Sequence, residues 1–571
     1  MKRFLVALVA VVTLSPAAGQ EAKRPAEIPP VIPVIAQNGM VVAQEAIAAR
    51  VGADILKAGG NAIDAAVATG FALAVTYPRA GNIGGGGFMI VHLANTRRNI
   101  AIDYRETAPA AIHRDSFLDD EGNADPRKSL ASGLGVGVPG TVAGLALAHR
   151  KYGSGRFTLA QLIAPSVRIA REGFIVDGDL ADTIGSARAL FARWPSSEKI
   201  FLKPDGQSFG AGDRLVQRDL ADTLEAIGRD GPRAFYEGEI AEKIAASVRD
   251  AGGVMTAADL AQYNALEREP VTGRYRGHRI VSMPPPSSGG THLIEMLNIL
   301  HGFDLGRSGP ASTQSAHWMV ETMKRAYADR AVYLGDPDFV KVPVRGLTSR
   351  LYARNLRRQI GPRATPSTEI RNGDPAVAEG DNTTHYSVVD AEGNAVANTY
   401  TLNLSYGVGL VAEGTGVLLN NELDDFAAKP GAPNAFGLVG ASANAPAANK
   451  RPLSSMTPTI VLRNGKVKLV TGSPGGSRII STVLQVIVNV IDHDMPLGEA
   501  VSAPRLHHQW LPDQVSAERG YPEATLTGLE ERGHKVMVRA PGTSANSILV
   551  TPQGLVGAAD TRTRGAIAAG H

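Results

Sequence analysis

What most limits the folds open to this chain is where its strand-like runs fall. They come from both ends: "FMIVHL" (88–93), "NIAIDYRE" (99–106) and "GHRIVSMP" (277–284) on one side, and "HYSVVD" (385–390), "AVANTYTL" (395–402) and "TIVLRNGKVKLVTG" (459–472) on the other. Between them, from about 159 to 260, the chain is mostly amphipathic helix of the type "LADTLEAIGRDG" and "IAEKIAASVRDAGG". Strands supplied by both ends, with helices between, imply sheets covered by helices: a layered α+β unit whose parts share a core.

Local signals sharpen this outline. Ile47, Val51 and Ile55 recur every four residues, Gly59 and Gly60 supply a C-cap, and Asn61 with Asp64 opens a second apolar helix to about Thr76. A further helix is expected from about Gln314 to Leu334, and Asn464–Gly465 marks a hairpin. The 571 residues contain no cysteine, which excludes disulfides, a thiolate nucleophile, a thiolate metal site and a lipoprotein anchor. The formal charge of +3 comes with no basic block interleaved with aromatics, so the chain has no nucleic-acid footprint.

The N-terminus reads as a secretory signal peptide over 1–19: Lys2 and Arg3, an apolar run from Phe4 to Leu14, then the small residues Ala17 and Gly19. No later run reaches the roughly 18 apolar residues of a membrane span. A periplasmic or secreted protein is expected.

Several motifs are decoys. "GVGVPG" (135–140) matches a dinucleotide fingerprint but follows no strand and lacks the later acidic residue. "GQSFG" (206–210) matches a serine-hydrolase elbow but lies between a turn and a loop. "LHHQW" (506–510) belongs to no H-E-x-x-H pattern, so structural histidines are expected and no metal site is assigned.

The chemistry centres on one junction. The polar run "GPRATPSTEIRNGDPAVAEGDN" (361–382) has the composition of a mobile segment, yet it leads straight into "TTHYSVVD" (383–390). Read alone, two β-branched residues at a strand start need no function. If "AEGN" (391–394) is the hairpin turn, however, Asp390 faces Ala395 and Thr384 faces Thr401 to within a residue, placing hydroxyls beside Thr383. A threonine hydroxyl needs a base. Cleavage between Asn382 and Thr383 would supply one, the new α-amino group of Thr383 with a pKa of about 8.

"DNTTHYSVVD", "NTYTLN", "LLNNELDDF", "NKRPLSSMTPTIV" and "TGSPGGSRII", with "NAIDAAVAT", "GNIGGGGFM", "DYRETAP", "PPPSSGG" and "LHHQW", together resemble the γ-glutamyltranspeptidase family over nearly all of the chain. The resemblance implies an α+β N-terminal-nucleophile hydrolase, an αββα sandwich. It also implies a proenzyme that cuts itself into a large subunit (20–382) and a small subunit (383–571), which stay together as a heterodimer. Thr383 matches the family's nucleophile and Thr401 the threonine that hydrogen-bonds it.

Arg105 matches the ligand of the substrate α-carboxylate, for which its planar fork is suited; alone it would read as a surface ion pair. Ser454 and Ser455 match hydroxyls on the same carboxylate, and otherwise read as loop residues. Glu422 and Asp425, with Asn403 beside them, match the ligands of the α-ammonium, and otherwise read as a solvated acidic loop. Gly475 and Gly476 match the oxyanion-hole donors, and out of context form an anion-binding nest.

Two residues depart from some bacterial members: Phe436 stands where some have a tyrosine in the loop expected to cover the site (429–446), and Glu422 where some have a glutamine. The implied reaction is γ-glutamyl transfer from glutathione or another γ-glutamyl donor to water, an amino acid or a dipeptide, without cofactor or metal. Its rivals are a glutaryl-type β-lactam acylase of the same fold and a non-catalytic periplasmic γ-glutamyl-peptide binding protein. The acidic pair argues against the first and the intact threonine and glycine set against the second.

Overall fold

Hydrogen-bond ladders join strands from both ends of the chain into two seven-stranded sheets. The computed structural model describes residues 28–370 and 383–571. The signal peptide read at 1–19 and the upstream side of the 382–383 bond lie outside them.

In spatial order, the first sheet consists of Ile567–Gly570, Met40–Ala43, Thr384–Val389, Ala395–Thr401, Gly86–Leu93, Arg98–Tyr104 and Leu266–Arg268. The second consists of Val34–Ala36, Gly554–Ala559, Asn546–Thr551, Lys466–Thr471, Thr459–Arg463, His278–Ser282 and Val271–Tyr275. The first sheet thus takes four strands from before residue 383 and three from after it, and the second takes three and four. Neither seven-stranded sheet belongs to one part of the chain alone, so the core between them is common property.

Alternation along each strand sorts side chains into layers. In the first sheet Tyr386 and Tyr400 point outward, donating to Ala66 O and Gly70 O of helix Ala62–Thr76, each at 2.9 Å. Met40, Val42, Phe88, Ile90, Val389 and Ala397 point inward, where they meet Val281, Ile460, Leu462, Val470 and Ile548 of the second sheet. Helices Gly289–Leu300, Thr313–Tyr333 and Arg478–Ile491 cover the far side of the second sheet. The result is the expected αββα sandwich. Among the described residues no helix is long and apolar enough to cross a membrane.

The local expectations hold closely. Asn61 and Asp64 form a reciprocal capping box on helix Ala62–Thr76, and Asn464 and Gly465 take φ of 53° and 78° in the hairpin between Thr459–Arg463 and Lys466–Thr471. One expectation fails in part. The beginning of the polar run at 361–382 is pinned, because two buried side chains and the half-buried Asp513 satisfy its backbone. His317 Nε2 bonds Gly361 O at 2.8 Å, Glu321 Oε1 accepts from Thr365 N at 3.1 Å, and Asp513 Oδ2 accepts from Ser367 N at 2.8 Å. Residues 371–382 lie outside the described residues.

Candidate active site

Thr383 heads the central strand Thr384–Val389, whose partner strand sets Thr384 opposite Tyr400 and Val389 opposite Ala395. The register differs by one residue from the expected one. The reason is Asp390, which leaves the ladder for the turn: its carboxylate accepts from Asn394 N at 2.8 Å and from Ala62 N, at the start of helix Ala62–Thr76, at 2.9 Å. Continuing the ladder by one pair brings Thr383 level with Thr401, on the face turned toward the second sheet. Thr384 falls on the opposite face.

The surroundings hold this corner rigidly. Asn82 Nδ2 donates to Thr401 O at 2.8 Å, and Thr401 Oγ1 accepts from Asn403 N at 2.9 Å. Asn403 reaches that position with φ of 74°, and its side-chain amide donates to Asn421 O at 3.0 Å. His385 lies on the same face as Thr383, bonded to Thr399 Oγ1 at 2.8 Å and Ser387 Oγ at 3.1 Å. Burial lowers its pKa to about 3, so it is a neutral structural group.

A loop from the second sheet meets this corner. Gly472 packs on the His385 ring so closely that a Cβ would lie 2.3 Å from ring carbon Cε1. Three residues on, Gly475 and Gly476 take φ of 121° and 50° just before helix Arg478–Ile491. Neither of their backbone N–H groups is taken by an acceptor among the described residues. They are free donors at a helix N-terminus.

The head-group residues converge in one buried cluster, where they pair with one another. Arg105 is fully buried; Nη1 donates to Glu422 Oε1, Nη2 to Asp425 Oδ2 at 2.5 Å and Nε to Pro452 O at 3.1 Å. The acids expected on an ammonium therefore hold the guanidinium expected on a carboxylate, since buried charges pair with whatever opposite charge is in reach. Burial works against the charge on Arg105, but Glu422, Asp425 and Glu106 outweigh it and raise its pKa. Burial likewise pushes Glu422 and Asp425 up, against the pull of Arg105.

Ser454 and Ser455 follow Pro452 after one residue, Leu453. Ser454 bridges in parallel to Ser287, and Ser455 Oγ accepts from Arg330 Nη2 at 3.1 Å. The loop at 429–446 packs against these residues. Asn434 Nδ2 donates to Asp425 Oδ1 at 2.8 Å, Ala435 N to Asp424 Oδ2 at 2.8 Å, and Gln509 Nε2 to Phe436 O and Gly437 O at 3.2 and 3.1 Å. The Phe436 ring rests on Gly476, where a Cβ would come within 2.3 Å of it. The loop is thus anchored by amides and by ring packing, with no hydroxyl at position 436. The histidines of "LHHQW" are structural, His507 bonding Ser481 Oγ at 2.8 Å and His508 pairing with Asp513 at 3.3 Å.

Sequence reasoning missed three residues. Asn82, within "GNIGGGG", holds Thr401. Glu106, beside Arg105, is fully buried with both carboxylate oxygens lacking hydrogen bonds, and burial raises its pKa to about 7. Arg330 contacts Ser455 from a helix whose periodicity does not mark it. A run of charges on a helix without an apolar stripe, "ETMKRAYADRAVY", was the available signal.

Two sheets packed face to face between helix layers, with a threonine at the head of a central strand, define an N-terminal-nucleophile hydrolase fold. The chain belongs to the γ-glutamyltranspeptidase family, whose model matches residues 48–570. It is 54% identical over 544 residues to the glutathione hydrolase proenzyme of Escherichia coli (strain K12), covering 94% of this chain and 93% of that protein. Among solved structures it resembles the cephalosporin acylase from Bacillus halodurans, with a TM-score of 0.83 and 28% identity over 98% of this chain and 99% of that one. It also resembles the Helicobacter pylori γ-glutamyltranspeptidase, with a TM-score of 0.56 and 46% identity over 59% of this chain and 96% of that one.

Proposed function

We propose that the protein transfers γ-glutamyl groups from glutathione and related donors to water, amino acids or dipeptides, through a γ-glutamyl ester on Thr383. Maturation comes first: Thr383 Oγ attacks the Asn382 carbonyl, the peptide nitrogen departs as the new α-amino group, and water hydrolyses the ester. This leaves 20–382 and 383–571 associated as large and small subunits through the shared sheets, in the periplasm or outside the cell.

In turnover the Thr383 amine takes the hydroxyl proton as Oγ attacks the γ-carbonyl. The N–H groups of Gly475 and Gly476 stabilise the oxyanion, and the amine product leaves with the proton. Water or an acceptor amine then attacks the ester and restores Thr383. Thr401 orients the nucleophile, Arg105 with Ser454 and Ser455 receives the α-carboxylate, and Glu422, Asp425 and Asn403 receive the α-ammonium.

The observation that carries this reading is the buried Arg105–Glu422–Asp425 cluster. A zwitterionic α-amino acid head group can exchange with those ion pairs, carboxylate to arginine and ammonium to acids, without stranding a buried charge. A glutaryl group, lacking the ammonium, cannot.

The test is release of p-nitroaniline from γ-glutamyl-p-nitroanilide, with and without a dipeptide acceptor, beside a denaturing gel of the protein and of Thr383→Ala. Two bands and acceptor-stimulated turnover are expected from the unsubstituted protein, and one uncut inactive chain from the variant. Two-band processing of Thr383→Ala overturns the assignment.

A further inference from the structure

Buried arginines in this protein grip carboxylates: Arg105 holds Glu422 and Asp425, Arg325 holds Glu321, Arg505 holds Asp560 and Arg562 holds Glu518. Arg330 is the exception. It is 4% exposed and forms no ion pair with a carboxylate among the described residues. Its Nε donates to Ser288 Oγ at 3.0 Å and its Nη2 to Ser455 Oγ at 3.1 Å, and Ser288 Oγ donates onward to Ser454 O at 2.8 Å. Burial lowers its pKa to about 10 against the opposing charge of Asp425, so it is a cation at neutral pH. A desolvated guanidinium held only by neutral hydroxyls is costly unless an anion joins it.

The hydroxyls say where that anion belongs. A serine oxygen that accepts from a guanidinium keeps its own hydrogen for a different acceptor. Ser455 Oγ donates to no acceptor among the described residues, and neither does Ser454 Oγ, which accepts from Met456 N at 3.1 Å. Two O–H donors and one cation with no carboxylate in direct ion-pair contact therefore lie together. They follow Pro452, whose carbonyl accepts from Arg105 Nε at 3.1 Å.

We propose that Arg330 is a positioning residue for the substrate α-carboxylate: it holds the Ser455 hydroxyl as an outward donor and supplies positive charge that Arg105, divided between two acids, does not. The inference rests on the γ-glutamyl reading of the pocket. It adds a residue that contributes to recognition through Ser455 and governs donor binding rather than the acyl-transfer step.

The experiment compares γ-glutamyl-p-nitroanilide with γ-aminobutyryl-p-nitroanilide, which lacks the carboxylate, using the mature unsubstituted enzyme, Arg330→Met, Arg330→Lys and Ser455→Ala, each checked for two-band processing. Arg330→Met should raise KM for the γ-glutamyl anilide at least about tenfold, the scale of a lost charge-assisted contact, with kcat changed less than about threefold. It should leave kcat/KM for the γ-aminobutyryl anilide within about twofold. Arg330→Lys, which keeps the charge, should recover part of the KM and carries the same test if the methionine variant does not fold. Combined with Ser455→Ala, Arg330→Met should lose less than the product of the single losses. Equal losses on both anilides, or no loss on either, overturn the inference while leaving the γ-glutamyl reading intact. Failure of the unsubstituted enzyme to cleave the γ-glutamyl anilide overturns that reading and the inference with it.

Discussion

Helices Ala62–Thr76 and Thr313–Tyr333 are both buried over most of their length, yet their side chains obey different rules. The first is almost wholly apolar, and it carries no basic residue; its few polar groups serve its ends and its own backbone, Asn61 and Asp64 as caps that also bond Tyr152 O and Ser154 N, and Thr69 Oγ1 donating to Ala65 O at 2.8 Å. The second buries His317, Glu321, Lys324, Arg325, Asp329 and Arg330, whose partners come from distant parts of the chain. Arg325 pairs with Glu321 at 2.7 Å but also reaches Gln359 O at 2.9 Å, and Lys324 pairs with Asp513 at 2.9 Å. An apolar helix is buried to remove surface from water. A charged helix is buried because other segments must be held against it, here the stretch around 359–367 and the serines of the candidate site.

The comparison predicts its own failures, beginning with the largest. Glu321→Leu keeps the helix but leaves Lys324 and Arg325 buried with less opposing charge, so urea unfolding should show a loss of about 3–5 kcal/mol. A loss below about 1 kcal/mol would mean that the charged helix is held as the apolar one is. In the pocket, where Asp425 and Arg330 face each other electrostatically, Asp425→Ala should lower kcat/KM for the γ-glutamyl anilide at least about tenfold. It should leave cleavage of the glutaryl anilide unchanged or improved. Proportional losses on both substrates would remove Asp425 as the ammonium ligand.

A smaller effect concerns pH. Burial raises Glu295 to about 8, and burial together with the charge of Glu295 raises Asp329 to about 8. Tyr352 donates to Asp329 Oδ2 at 2.7 Å beside them. The folded protein therefore holds protons that the unfolded chain, with carboxyl pKa values of about 4, releases. The pair's contribution is fully present below about pH 4 and declines as pH rises toward 8. Melting temperatures of Glu295→Gln should fall less steeply than those of the unsubstituted protein between about pH 5 and 8; parallel curves would show that the carboxyls are not shifted. The smallest effect is expected from Leu73→Met in the apolar helix, a volume-conserving change costing less than about 1.5 kcal/mol and leaving KM unaltered. A change in KM there would break the separation of roles between the two helices.

Much of the fold was legible because its signals are short-range. The capping box at Asn61 and Asp64, the hairpin at Asn464–Gly465 and the end of the long helix near Tyr333 depend on residues a few positions apart. The candidate site was legible through its quoted motifs, but its internal pairing was not. The threonine register shifted by one because Asp390 serves a helix 328 positions away in sequence, and Arg105 met the acids expected on an ammonium. The pinned stretch after residue 360 could not be foreseen, since its composition says only that it lacks periodicity.

The sequence by itself determined which segments are helix and strand, the layered class of the fold and the residue types gathered for the chemistry, because propensity, capping and alternation act between neighbours along the chain. Only the tertiary structure decided that Arg330 is buried without an ion pair to a carboxylate among the described residues, that Arg105 is shared between Glu422 and Asp425, and that both parts of the chain complete the same two seven-stranded sheets. Those outcomes depend on desolvation and on which charges and backbone groups come within hydrogen-bond reach, and residues hundreds of positions apart acquire that proximity only when the layers close.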